Sequence, residues 1–216
     1  MISVRDITLA YGQRILCSGV SFDLAPGETV VLAGANGSGK STLLRRLSEL
    51  PGTVLVPTGI PKVKGFTLRE FIRTGCYRIS TWSGRLDATG EKALEEALEL
   101  LGIAPLAERD IATLSDGEFQ KGCIASALVR RARVLLLDEP TTFLDVENRV
   151  LVLRALRDLA RGSGIAVLFS SHELHESLAV ADRVFALCPG AVFRCSDSTD
   201  ASRREVLETA FPGLSR

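Results

Sequence analysis

Short apolar runs recur along the chain at Ser3–Leu9, Thr29–Ala33, Val54–Val56, Val134–Leu137, Ile165–Ser170 and Val184–Leu187. Each predicts a strand, and the near-continuous apolar character of most of them suits strands buried on both faces. Helical patterns fall between most of these runs. Leu94, Ala97, Leu98 and Leu101 lie on one helical stripe that stops at Gly102, a residue suited to a C-terminal cap. Thr67 with Glu70, Ser115 with Glu118, and Ser202 with Glu205 have capping-box spacing, so each pair predicts a helix start. Strands alternating with helices imply βαβ units and a mostly parallel sheet between helical layers. Residues 66–133 break that rhythm with several helices and no convincing strand. They read as a helical insertion ahead of the Val134–Leu137 strand.

The first chemistry lies between the second run and the helix after it. Gly34 to Thr42 read GANGSGKST, which fits the phosphate-loop pattern at Gly34, Gly39, Lys40 and Ser41. A strand, a glycine turn and a helix N-terminus present backbone N–H groups at the positive end of a helix dipole. Lys40 would reach the β- and γ-phosphates of a nucleotide, and the Ser41 hydroxyl would ligate Mg²⁺. A glycine-rich turn with a surface lysine is the bland alternative, and the flanking strand and helix weigh against it. The second chemistry is Asp138-Glu139, two carboxylates delivered at the C-terminal end of an apolar strand, where ligands bind in open parallel sheets. Asp138 would hold Mg²⁺ through its water shell, and Glu139 would act as general base on an attacking water.

Composition narrows the classes. The 216 residues hold 26 Lys+Arg and 26 Asp+Glu, so net charge is zero and no basic tract suggests a nucleic-acid partner. Five cysteines at 17, 76, 123, 188 and 195 form no C-x-x-C pair. Small buried hydrophobes are their simplest reading, and a Cys188–Cys195 pair is the alternative. No apolar run approaches the roughly eighteen residues that span a bilayer. A mean hydropathy of +0.20 fits a large buried sheet or a partner-covered surface.

Two further segments sharpen the picture. Leu114-Ser115-Asp116-Gly117-Glu118 opens a helix that leads towards Asp138-Glu139, and His172 follows the Ile165–Ser170 strand with Ser171 between. Together with Tyr11, the phosphate loop and Leu144-Asp145, this order resembles the ATP-binding cassette (ABC) ATPase family over nearly the entire chain. The resemblance implies a single ABC ATPase domain, 1–216, of α/β class. Its parts would be a P-loop NTPase (RecA-like) core of mostly parallel sheet at about 1–65 and 134–216, a helical subdomain at about 66–133, and a reduced antiparallel β part. ATP and Mg²⁺ are the implied ligands. Tyr11 would stack on adenine. Asn36, Gly37, Ser38, Gly39, Lys40, Ser41 and Thr42 would cradle the phosphates. Glu139, His172 and Lys40 would carry the catalysis, with His172 on the γ-phosphate and on the water of Glu139. Ser115 and Gly117 would bind the γ-phosphate held by a second cassette, identical or a sister subunit, and Leu144-Asp145 would communicate between the two. The chain would then lie in the cytoplasm, peripheral on the inner face of the membrane, with integral-membrane permease subunits and, indirectly, a solute-binding protein as partners. A metal site at His172, His175, Glu173 and Glu176 is the alternative, with poor spacing.

The chain also departs from that pattern. Only 18 positions separate Lys40 from Thr58, which stands where the family has a glutamine that senses the γ-phosphate and binds Mg²⁺. Thr58 could offer one hydroxyl to Mg²⁺ or water. Asp116 and Glu118 make the signature acidic, which is unfavourable beside a γ-phosphate unless they face away or cap the helix. LSDGE with Gln120-Lys121, DEPTTFLD at 138–145 and the stretch 75–86 with Tyr77 and Trp82 resemble importers of iron-siderophore, haem or cobalamin type. Ordinary packing is the other reading of Tyr77 and Trp82. An exporter ATPase, a soluble ABC protein and a cassette with weak turnover are the competing functions.

Overall fold

A computed structural model describes residues 1–75, 88–130 and 132–213. A six-stranded sheet forms its centre, built from β3 (Thr29–Gly34), β4 (Thr53–Val56), β5 (Val134–Leu137), β6 (Ala166–Ser170), β7 (Arg183–Cys188) and β8 (Val192–Cys195) in the order β4-β5-β6-β3-β7-β8. All neighbours run parallel except β7 and β8. Every residue of β3, β5 and β6 is buried, as their unbroken apolar runs predict.

Alternation along those strands sorts the side chains into two layers. Val31, Ala33, Leu135, Leu137, Val167 and Phe169 face a cluster shared with helices α2 (Leu68–Thr74), α3 (Ala88–Leu100), α4 (Asp116–Leu128), α5 (Val146–Ser163), α6 (Leu174–Val180) and α7 (Asp200–Ala210). Val30, Leu32, Leu136 and Leu168 face the other way, onto α1 (Lys40–Ser48) and an antiparallel pair, β1 (Ile2–Tyr11) and β2 (Arg14–Leu24). Among the described residues of 66–133 there is no strand, only an isolated bridge between Thr67 and Asp110.

Most local signals hold. Thr67 and Ser115 are N-caps with both halves of their capping boxes formed. Helix α3 ends in a Schellman motif, with Ile103 N–H donating to Leu98 O at 2.9 Å and Gly102 N–H to Glu99 O at 3.0 Å. The pair Ser202/Glu205 does not start a helix. Helix α7 begins at Asp200 behind Thr199, whose hydroxyl accepts the Ser202 N–H at 3.3 Å, while the Ser202 hydroxyl is taken by the Asp197 N–H at 3.1 Å. Strand β2 goes beyond the expected elements. Its partner β1 carries register shifts between Val4 and Ala10 and a left-handed Asp6 at φ 51°, and such bulges spoil the period-two pattern that would reveal a strand. Cys17, Cys123 and Cys188 are free and buried, and Cys195 is free and exposed, so Cys188 and Cys195 do not pair. Burial pushes the Cys123 thiol up to about 12. Cys76, Tyr77 and Trp82 lie outside the described residues.

Candidate active site

The central position of β3 in the sheet decides where the phosphate loop sits. The chain leaves β3 at Gly34, turns through Asn36-Gly37-Ser38 and enters α1 behind Gly39, the N-cap, which is left-handed at φ 106°. The N–H groups of Gly39, Lys40, Ser41 and Thr42 precede the first intrahelical bond, from Leu43 N–H to Gly39 O at 2.8 Å, and so have no partner within the helix. Lys40 is buried, its ammonium donating to Gly34 O at 2.8 Å and Ala35 O at 3.2 Å. Burial pushes its pKa below the ordinary lysine value, opposed by the charges of Glu139 and Asp138. Ser38 Oγ is buried with no partner among the described residues. A buried donor left open beside a row of free N–H groups fits a phosphate chain.

Tyr11, Arg14, Leu16, Asn36, Gly37, Gly39, Lys40, Ser41, Thr42 and Glu139 line one cavity of about 320 Å³. Tyr11 and Arg14 are the closing pair of the β1–β2 hairpin, and Tyr11 is 77% exposed at the cavity mouth. Arg14 and Leu16 carry no sequence signal, because only the hairpin geometry brings them to the loop.

Strand β6 lies between β3 and β5, and that order brings Asp138, Glu139, Ser170 and His172 together. Asp138 is buried at the end of β5, with its N–H on Val56 O at 2.9 Å and its Oδ1 accepting the Ser170 hydroxyl at 2.8 Å. The same hydroxyl accepts the Glu139 N–H at 2.9 Å. Glu139 is left-handed at φ 50°, and its Oε1 lies 2.5 Å from His172 Nε2 while Oε2 accepts the Thr142 hydroxyl at 3.2 Å. Ser170, a residue the sequence reading missed, thus ties the Asp138 carboxylate to the Glu139 backbone, and the Glu139 carboxylate meets His172 directly. Thr58 falls two residues beyond Val56 and does not line the phosphate-loop cavity. Among the described residues, no group of His, Cys, Asp and Glu is arranged to hold a metal by itself, His172 and His175 included.

The signature residues stand elsewhere. Ser115, Asp116, Gly117 and Glu118 line a second cavity of about 200 Å³ with Lys121, Phe143, Leu144, Asp145 and Asn148, sharing no residue with the first. Gly117 packs so tightly there that a Cβ would lie 3.1 Å from Phe143 O and 3.0 Å from Leu144 Cδ2. Glu118 turns back to accept the Ser115 N–H at 2.7 Å, which holds its pKa below the usual carboxylate range. Asp116 turns to Lys62, with 2.7 Å between Nζ and Oδ1. Both acidic residues are therefore engaged.

A phosphate loop on a central strand, an Asp-Glu pair two strands away and a separate capped-helix signature are one arrangement, and comparison agrees with it. Residues 17–142 match the ABC transporter family model. The chain belongs to this family. It is 30% identical to a petrobactin import ATP-binding protein of Bacillus anthracis, over 86% of this chain and 77% of that protein. Identity to an aliphatic sulfonates import ATP-binding protein of Nocardia farcinica is 35%, over 100% of this chain and 88% of that one. A solved metal-chelate type ABC transporter in an inward-facing conformation superposes with a TM-score of 0.85 at 26% identity, over 97% of this chain and 88% of its own. The chain is accordingly an ATP-binding subunit of an ABC transporter and a transport-coupled ATPase. No described helix is long and apolar enough to cross a membrane.

Proposed function

We propose that this cassette hydrolyses Mg-ATP between two copies of the fold and drives import of an iron complex, a haem or a corrinoid. Asn36 to Thr42 cradle the phosphates, with Lys40 and the Ser38 hydroxyl as donors beside the free N–H groups of α1. Ser41 and Asp138 are the oxygen donors for Mg²⁺, a set that suits a hard cation. The ion, when bound, neutralises charge on the phosphates. Thr58, two residues beyond Val56, whose O accepts the Asp138 N–H, offers only a short hydroxyl where the family has a glutamine. Glu139 is the general base, and His172 holds it and the γ-phosphate end of the site in register. Tyr11 stacks on adenine from the open side of the cavity.

The observation that carries this reading is the Glu139 carboxylate. It lines the phosphate-loop cavity, contacted by Thr142 and His172, while Ser170 holds the Glu139 backbone N–H. Ser115 and Gly117 serve the γ-phosphate of a second cassette, because they line a cavity that shares no residue with the phosphate-loop cavity of their own chain. A homodimer or a pair with a sister subunit follows, bound to permease subunits at the inner face of the membrane and receiving solute from a binding protein. Residues 1–65 with 134–216, and 66–133, act as core and helical subdomain, the latter meeting the permease.

Measuring the molar mass of the Glu139→Gln protein in solution tests the sandwich. A shift from monomer to dimer on adding Mg-ATP supports it, and a protein that binds ATP yet stays monomeric overturns it. Solute class is tested by deleting the gene. Lost growth on ferric siderophores as iron source supports import of an iron complex. Lost growth on aliphatic sulfonates, the solute of the 35% identical relative, overturns it.

A further inference from the structure

Asp116 is the first residue of α4, next in sequence to the N-cap Ser115, and its carboxylate is 70% exposed. An uncompensated carboxylate there would repel the triphosphate that the helix N-terminus otherwise attracts. One side chain meets that problem. The Lys62 ammonium donates to Asp116 Oδ1 at 2.7 Å and to Leu114 O at 2.7 Å, and it lies 5.9 Å from the centroid of the Phe119 ring. It thereby grips the residues on both sides of Ser115.

The backbone that carries Lys62 is itself fastened. Lys62 belongs to the connection between β4 and α2, and that connection runs along the segment leading into the signature. Gly65 N–H donates to Asp110 Oδ2 at 2.9 Å, Ile111 N–H donates to Phe66 O at 2.9 Å, and Leu68 N–H donates to Arg109 O at 2.9 Å. Lys62 is only 23% exposed, so its ammonium is held in place rather than free in solvent. An exposed ion pair contributes little to folding. Here its consequence is local, since it offsets a negative charge at the spot where, on the proposed reading, an anion docks.

We infer that Lys62 is a positioning and charge-compensating residue of the signature, which makes an acidic signature compatible with ATP on a partner cassette. This rests on the reading that Ser115 and Gly117 face the partner's γ-phosphate. The short connection after β4 lacks the family's glutamine, and through Lys62 it still joins the sheet edge to the signature helix.

The test measures the Mg-ATP concentration at half-maximal dimerisation by light scattering, in the Glu139→Gln background. Adding Lys62→Met raises that midpoint about tenfold, less than a fully desolvated like-charge contact would, because Asp116 stays largely exposed and screened. Lys62→Arg keeps it within about twofold, and Asp116→Asn added to Lys62→Met restores it, because the unpaired carboxylate is then gone. An unmoved midpoint in Lys62→Met, or a loss that Asp116→Asn does not restore, overturns the Lys62 role alone. A Glu139→Gln protein that stays monomeric at saturating Mg-ATP overturns the Lys62 role and the signature reading together.

Discussion

His172 Nε2 lies 2.5 Å from Oε1 of Glu139. The contact joins two neighbouring strands of the sheet, since Glu139 follows β5 and His172 follows β6 in parallel register. If Glu139 is the general base, as proposed, His172 would act on the reaction through it as well as through the phosphate. His172→Ala should lower kcat about 100-fold while ATP affinity stays within about threefold, the range for losing a general acid–base partner. Because both side chains form one unit, His172→Ala combined with Glu139→Gln should be no slower than Glu139→Gln alone. Single-turnover phosphate release decides the matter. Multiplicative losses would mean that the two residues act independently.

Ser170 makes a second prediction. Its hydroxyl donates to Asp138 and accepts the Glu139 N–H, inside a fully buried strand. Removing it leaves a buried carboxylate oxygen and a backbone N–H short of one partner each, a cost of about 1–3 kcal/mol. Ser170→Ala should therefore lower the denaturant midpoint. It should also reduce kcat by roughly 10- to 100-fold, the usual penalty for an outer-shell partner, and raise the Mg²⁺ concentration needed for half-maximal rate. A stability loss with unchanged Mg²⁺ dependence would confine Ser170 to a structural role.

What the chain revealed beforehand followed from how local each feature is. The glycine turn into α1, the placement of Asp138-Glu139 at the end of β5 and the capping boxes at Thr67 and Ser115 are set by neighbours within a few residues, and their local geometry forms as the sequence predicts. Ser170 could not be recognised that way, because its role depends on β6 lying between β3 and β5. Arg14 and Leu16 reach the cavity only through the hairpin, whose bulged partner strand hides the alternation of β2. Lys62 had no motif around it, and its meaning came from a contact across 54 positions in sequence. The Ser202 expectation failed since two hydroxyls competed for one helix start, and Thr199 took it.

Acid sensitivity should follow from the capping carboxylates. Glu70, Asp110, Glu118 and Asp145 all have pKa values below the ordinary range, in each case first because a backbone N–H donates to the carboxylate. A folded-state pKa below the unfolded one means that the stabilisation is complete above the unfolded value near about 4 and is lost as pH falls through the folded value. Melting temperature should be flat from about pH 7 to pH 5 and decline below about pH 4. Glu118→Gln should flatten part of that decline. A fall already under way at pH 6 would overturn this assignment.

Ser115 caps α4 and, in the proposed sandwich, would also bind phosphate, and different substitutions separate the two roles. Its Oγ accepts the Glu118 N–H at 3.2 Å as N-cap of α4, and its hydroxyl hydrogen remains to be donated to a phosphate. Ser115→Ala removes both functions, so it should destabilise the protein by about 1 kcal/mol and weaken ATP-driven dimerisation. Ser115→Asp keeps a good cap acceptor and favours the helix dipole, and its stability should match the parent within about 0.5 kcal/mol. The same carboxylate would stand against the γ-phosphate, beyond what Lys62 can neutralise while it is engaged with Asp116. In the Glu139→Gln background, Ser115→Asp should therefore abolish the Mg-ATP-induced dimer in a protein that melts normally. Light scattering and a thermal melt on the same samples read the two effects apart. A dimer that still forms with Ser115→Asp would mean that the signature helix is only well capped and faces no nucleotide.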